Sequence, residues 1–221
     1  MPQIVSIQIG QPTNYLDTRA ADGREREWTT AFFKSPIAGR VFAGRTNLAG
    51  DAQADLEHHG GPDKAVLAYS ADHYPYWREH LGIRDLPFGA FGENLSIAGL
   101  DETAACIGDR WQAGSVMFEV SQPRQPCWKM SRRWQIEDLA RQVLANGKSG
   151  WYLRVLVEGD IESGMELELV SRPHPEWTVA RASRVMHHEK GDLAAAAELR
   201  ALPELAASWK TVLNDRCKRR A

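Results

Sequence analysis

The chain has 221 residues, of which 43% are hydrophobic and 25% charged, with a formal net charge of -2. That length and balance predict a globular protein with a sizeable core. The near-neutral charge excludes a broad attraction to nucleic acid or to an anionic membrane, and the closing basic run Arg216 to Arg220 reads as a solvated helix end. In chain order, Ile4, Val5, Ile7 and Ile9 predict a first short strand. Thr29 to Phe33 and Arg40 to Phe42 flank Pro36 and Gly39 and predict two strands joined by a turn. Ala65 to Tyr69 is an apolar run of the kind found in buried strands. Asp72 is placed to cap a helix reaching Leu81, with Pro75 in its first turn.

Further along, Val116, Phe118 and Val120 alternate with Met117 and Glu119, which predicts a half-buried strand after the Gly114-Ser115 turn. The two prolines beyond Ser121 predict that the chain leaves the sheet there as a rigid loop. Ile136, Leu139, Ala140, Val143 and Leu144 have helical spacing, stopped by Asn146-Gly147. Trp151 to Val157 and Met165 to Val170 read as late strands flanking EGDIESG. From Thr178 the strand signal fades, and helices are expected at about 178–189, 191–200 and 203–219. The expected organisation is therefore a strand-rich α+β unit over 1–175 and a three-helix module over 176–221. So short a module must pack on the main unit or on a second subunit.

The terminus MPQIVSIQIGQP lacks the features of a secretory signal, and no apolar window is long enough to span a membrane. Cys106, Cys127 and Cys217 are odd in number and widely spaced, which fits a reducing, cytoplasmic setting better than a disulfide framework. Cys127 lies in SQPRQPCWKM. Arg124 and Lys129 flank it, Pro123 and Pro126 stiffen its approach, and a thiolate so placed suits either nucleophilic chemistry or a soft metal. A small buried hydrophobe near a strand end is the alternative.

In HHGGPDKA, Gly60 and Gly61 make a turn that lets backbone approach a ligand closely, and His59 and Lys64 add donors for an anion; a plain Gly-Pro turn is the alternative. Adjacent histidines are poorly spaced for zinc. FGENL places Asn94 where its amide could read a heterocycle edge or simply form a turn. FFKSPIAG sets Lys34 and Ser35 at a strand end, to hold phosphate or face water. No dinucleotide fingerprint, Walker loop, GxSxG elbow or paired-carboxylate signature is present, and no flavin, haem or iron–sulfur motif.

Taken in order, FFKSPIAG, LAGDAQADLEHHGGPDKAVLAY, FGENLSIAGL, IGDRW, SQPRQPC and GKSGWYLRV with GDIESGMELELV resemble the MOSC domain, over residues 30–171. The helical tail is similar to the module of YiiM-type members. The resemblance implies a distorted β-barrel with peripheral helices that binds the molybdenum cofactor (Mo-molybdopterin), with Cys127 as the molybdenum ligand. Asn94 and Arg124 would lie near the pterin and Lys34 with Ser35 near its phosphate, and His59, Gly60 and Gly61 would complete that wall.

The implied activity is two-electron reduction of N-hydroxylated compounds such as hydroxylaminopurines, amidoximes and hydroxylamines. Electrons would come from a separate flavin or iron–sulfur reductase. Monomer and homodimer both fit, and pyridoxal phosphate is a further family-level ligand. The competing reading is a non-enzymatic carrier of the cofactor or of sulfur on Cys127. A metal-free thiol enzyme, with His58 or His59 as base, is a third.

Overall fold

Residues 1–17 and 26–219 are described by a computed structural model, apart from the side chains of Asp17, Arg26, Glu57 and His58. Strand β1 (Gln3–Ile9) forms where its isoleucines predict it. The expected pair at 29–33 and 40–42 does not form. Instead β2 (Thr13–Asp17) pairs with β3 (Arg26–Thr30), β4 is only Ser35–Pro36, and β5 (Val41–Ala43) pairs with β11 (Gly159–Ile161) inside the EGDIESG segment expected to be a connection. Pro36 accounts for part of this. Lacking an N–H, it fits the sheet edge, where β4 pairs with Gln8 and Ile9 of β1.

The main sheet orders its eight strands as β12 (Glu168–Ser171), β8 (Arg110–Ala113), β9 (Val116–Pro123), β10 (Trp151–Val157), β6 (Val66–Ser70), β7 (Leu95–Ala98), β1 and β4. Its central members are β6 (Val66–Ser70), buried at every position, with β7 (Leu95–Ala98) and β10 (Trp151–Val157) beside it. Only β6 and β7 run parallel; the other ladders are antiparallel. Strands β8 (Arg110–Ala113) and β9 (Val116–Pro123) form a hairpin about Gly114-Ser115.

Two sequence expectations fail at β9. It is buried along nearly its whole length rather than half-buried, and it continues past Ser121, so Gln122 and Pro123 pair with Tyr152 and Trp151 of β10. A register shift between Tyr152 and Leu153 absorbs the irregularity, and Pro123 is tolerated as the terminal residue of the strand.

Strand β12 (Glu168–Ser171) begins later than expected because the preceding residues are spent on closing the sheet. The Ile4 N–H donates to the Met165 carbonyl at 2.9 Å and the Leu167 N–H to the Pro2 carbonyl at 2.8 Å, while Gln3 bridges Glu166. These bonds carry one end of the sheet round to β1, and the sheet becomes a distorted barrel. Ile4, Ile7, Val66, Phe118, Val120 and Trp151 fill its interior.

On the flank, a 3-10 turn (Ala71–His73) precedes α2 (Tyr74–Leu81), and Asp72 is not the helix cap: its carboxylate accepts from the Gly99 N–H at 2.9 Å. Pro75 does sit in the first turn. Helix α4 runs Leu139–Asn146, three residues later than the periodicity from Ile136 suggests, and ends at Gly147 in the left-handed conformation. Between them lies α3 (Trp128–Trp134), which the sequence reading did not anticipate. Tyr74, Trp77, Phe91, Met130 and Leu139 form a second apolar cluster there.

The tail helices α5 (Val179–His187), α6 (Leu193–Ala201) and α7 (Ala207–Lys218) occur as predicted, with Thr178 and Asp192 as working N-caps. They pack on the barrel. Val179, Val185, Leu199, Trp209 and Leu213 belong to the same core as the barrel interior. Arg154 ties the units together, binding Asp63 at 2.6 Å, Glu119 at 3.0 Å and the Glu204 carbonyl at 2.6 Å. No helix among the described residues is long and apolar enough to cross a membrane. The cysteines are all free, and Arg220 of the closing basic run lies outside the described residues.

Candidate functional site

Where β9 and β10 end, the chain turns out of the barrel. Arg124 follows directly on Pro123, its N–H donating to the Gly150 carbonyl at 3.0 Å, and its side chain is 3% exposed. Gln125 and Pro126 lead to Cys127, which is half-buried and occupies the N-cap of α3. This corner forms one wall of a cavity of about 590 Å³, including its open mouth. Thr30, Phe32, Lys34, Gln53, His59, Lys64, Asn94, Lys129 and Tyr152 complete much of the lining.

The electrostatics of the cavity are one-sided. Lys34, Lys64, Arg124 and Lys129 line it, and no carboxylate does among its described lining residues. His59, at the end of α1 (Leu56–His59), is held neutral. Burial, with Lys129 and then Lys64 and Arg124 against it and Asp55 opposing, lowers its pKa to about 4. Burial also keeps the Tyr152 phenol protonated by raising its pKa. Phe32 lies under the Arg124 guanidinium, 5.9 Å from its centroid. Gly92, at φ 79, is where that ring passes: a Cβ there would meet it at 2.6 Å. The Nη1 atom of Arg124 is buried without a hydrogen-bond partner from the protein, so its acceptor has to come from whatever occupies the cavity, solvent or ligand.

Of the sequence candidates, Lys34, His59, Asn94, Arg124 and Cys127 come together around this cavity. Ser35 does not: it is exposed on β4 and is not among the residues lining the cavity. Gly60 and Gly61, which follow His59 in the chain, are not among the residues lining this cavity. The His58 side chain lies outside the described residues.

Lys34 and Asn94 are already engaged. Lys34 forms a buried ion pair with Asp51, whose Oδ1 also accepts from the Gly10 N–H at 2.7 Å. Burial lowers the Lys34 pKa, and Asp51 opposes that. Both amide protons of Asn94 are donated, to Asp51 Oδ2 at 2.8 Å and to the Gln8 carbonyl at 3.2 Å, and its Oδ1 accepts from the Leu67 N–H at 3.1 Å. Asn94 thus ties β1, β6 and Asp51 into one unit and has no side-chain N–H to spare for a heterocycle. Asp51, Gly92 and Tyr152 escaped the sequence reading. Asp51 sits in an unremarkable loop, GDAQAD, with no motif to mark it.

Cys127 and His59 line the same cavity. An imidazole with a pKa of about 4 is nevertheless a weak base for a thiol. Nor do three His, Cys, Asp or Glu side chains converge on a metal among the described residues. A metal on Cys127 would therefore need most of its donors from a cofactor.

Comparison with known proteins agrees with this architecture. A MOSC domain model matches residues 55–168 and a YiiM-like three-helix domain model residues 177–216. The MOSC match is narrower than the expected 30–171 and begins after Lys34 and Asp51. YflK of Bacillus subtilis is 41% identical over 207 residues, covering 94% of this chain and 90% of that protein. A protein of Gibberella moniliformis named reductase is 38% identical over 180 residues; the match covers 80% of this chain but only 32% of that longer protein. The crystal structure of YiiM from Geobacillus stearothermophilus superposes with a TM-score of 0.82 at 37% identity, covering 98% of this chain and 100% of the other. Barrel and helical tail thus have one common explanation: the chain belongs to the MOSC domain family and is a YiiM-type member of it.

Proposed function

We propose that the protein is a molybdenum-cofactor-dependent reductase of N-hydroxylated compounds. The observation that carries this reading is the buried, unpartnered Nη1 of Arg124 in a cation-lined cavity that also holds Cys127. Such a cavity fits a phosphorylated heterocycle with an electron-rich edge, and the lone thiolate fits a soft metal whose other donors arrive with the cofactor. When bound, the cofactor would supply two-electron oxygen removal: R–NHOH with two electrons and two protons gives R–NH2 and water.

The chain's own part is to bind and orient. Cys127 Sγ would ligate the metal, and Arg124 Nη1 would find its acceptor on the pterin. Lys64 and Lys129 would balance the cofactor's negative charge. Lys34, with one of its three N–H bonds held by Asp51, would offer the others to the phosphate. His59 and Tyr152 are neutral at pH 7 and add no opposing charge. Electrons are assigned to a separate flavin or iron–sulfur reductase.

The test is purification from a host that makes the cofactor, measurement of molybdenum per chain, and an assay of hydroxylaminopurine reduction with an artificial donor. Near-stoichiometric metal with turnover is expected. Metal without turnover makes the protein a carrier, and metal fully retained in Cys127→Ser removes that residue as the ligand.

A further inference from the structure

Cys127 and Lys129 also line a second, wider groove of about 1590 Å³, including open solvent. Its far wall belongs to the helical tail: His187 and Trp209, with Lys190 and Arg216. The chain carries a formal net charge of -2, yet among the described residues the charges lining this groove are Lys64, Lys129, Lys190 and Arg216 against Asp55. Arg216 is locked in place by bonds from Nη1 to the Val185 carbonyl at 2.7 Å and from Nη2 to the Met186 carbonyl at 2.6 Å.

The groove also holds an incomplete polar contact. His187 Nε2 is buried without a partner, its ring edge-on to Trp209 at 5.9 Å. Trp128, directly after Cys127, stands 53% exposed at the groove's rim. Lys190, His187 and Arg216 line only this outer groove and not the inner cavity, so their chemistry is available to a second ligand.

We propose that the outer groove recognises the substrate, and that it selects flat aromatic compounds bearing an anionic group, of the nucleoside monophosphate class. The ring lies over the apolar wall near Trp128 and Trp209, and a small shift of the His187 ring gives its unpaired Nε2 a partner on it. The anionic group meets Lys190 and Arg216. The tail then forms half of the substrate site, which goes beyond its packing role. This inference rests on the reductase reading for the word substrate, but the binding it predicts does not depend on turnover.

The experiment titrates the full chain with adenosine 5'-monophosphate, adenosine and inorganic phosphate, following tryptophan fluorescence and calorimetric heat. The monophosphate is expected to bind at least about tenfold more tightly than adenosine or phosphate alone. Lys190→Glu is expected to weaken the monophosphate about tenfold and leave adenosine unchanged, while Lys190→Arg retains wild-type affinity. Lys190 is exposed, so an unchanged thermal midpoint confirms that the variant folds. Equal affinity for monophosphate and adenosine, or indifference to Lys190→Glu, overturns the proposal. If binding follows the expectation while no N-hydroxylated compound is reduced, the groove stands and the reductase reading falls.

Discussion

Lys34 and Arg124 line the same cavity from different parts of the barrel, and the two walls are built on opposite terms. On the Lys34 side every charge has its counterpart: Asp51 takes the ammonium, the Gly10 N–H and an Asn94 amide proton, and Asn94 spends its remaining groups on β1 and β6. On the Arg124 side the guanidinium rests over Phe32 with Nη1 unpaired. A satisfied network holds a wall rigid, whereas an unsatisfied one stores affinity for something not supplied by the chain. The contrast separates a cation already paired within the protein from one that still lacks its acceptor, although both are buried.

The comparison breaks most readily at Asp51. Asp51→Ala strands the buried Lys34 ammonium and two further donors, and should cost about 3–5 kcal/mol in urea denaturation. Lys34→Met alone should also destabilise, and the double variant Lys34→Met/Asp51→Leu should lose less than the sum of the single changes. Additive losses would show that the pair is not one unit.

Acid sharpens the contrast between cavity and groove. His59 in the first and His187 in the second have pKa values of about 4, against 6.5 in an unfolded chain. Between those values unfolding takes up protons. The stability these two groups give above pH 6.5 is therefore lost progressively as pH falls to 4. After allowance for solvent screening, each should contribute about 1 kcal/mol to that loss. Denaturation midpoints at pH 7.5 and 4.5 check this, and His59→Asn and His187→Asn should each flatten the acid limb.

Among the buried cations of the cavity, the smaller change in stability goes with the larger effect on ligand. Arg124→Met removes an underpaired buried charge and should leave stability within about 1 kcal/mol of wild type, or raise it. Molybdenum per chain should fall at least tenfold, and further than in Lys34→Met. The reverse order would make Lys34 the principal anchor.

Much of the frame was legible because periodicity survives into three dimensions. The isoleucines of β1, the apolar run of β6, the alternation from Val116 in β9 and the loss of strand signal after Thr178 each mark an element without help from the rest of the fold. Other elements left no such trace. LSIA of β7 is buried on both faces and too short to show a period, and α3 hides behind the prolines that precede Cys127. At the site, Arg124 and Cys127 could be singled out from their setting among prolines. Asp51 could not, since its importance arises from contacts with Gly10, Lys34 and Asn94, none of them near it in the chain. Nor could any pattern reveal that Asn94 spends its donors on the barrel while Arg124 Nη1 does not.

The position of Cys127 carries one more consequence. It begins α3 in an extended conformation, φ -119 and ψ 164, yet its side chain makes no capping hydrogen bond. Cysteine is a poor substitute for the hydroxyl or carboxylate side chains that usually cap a helix, so α3 starts without that support and the sulfur remains uncommitted. Serine has the side chain that this backbone turn prefers. Replacing sulfur by oxygen here should therefore tighten the start of the helix, which makes Cys127→Ser an unusually clean probe. A cofactor lost from that variant is lost through the chemistry of one atom and not through a loosened scaffold.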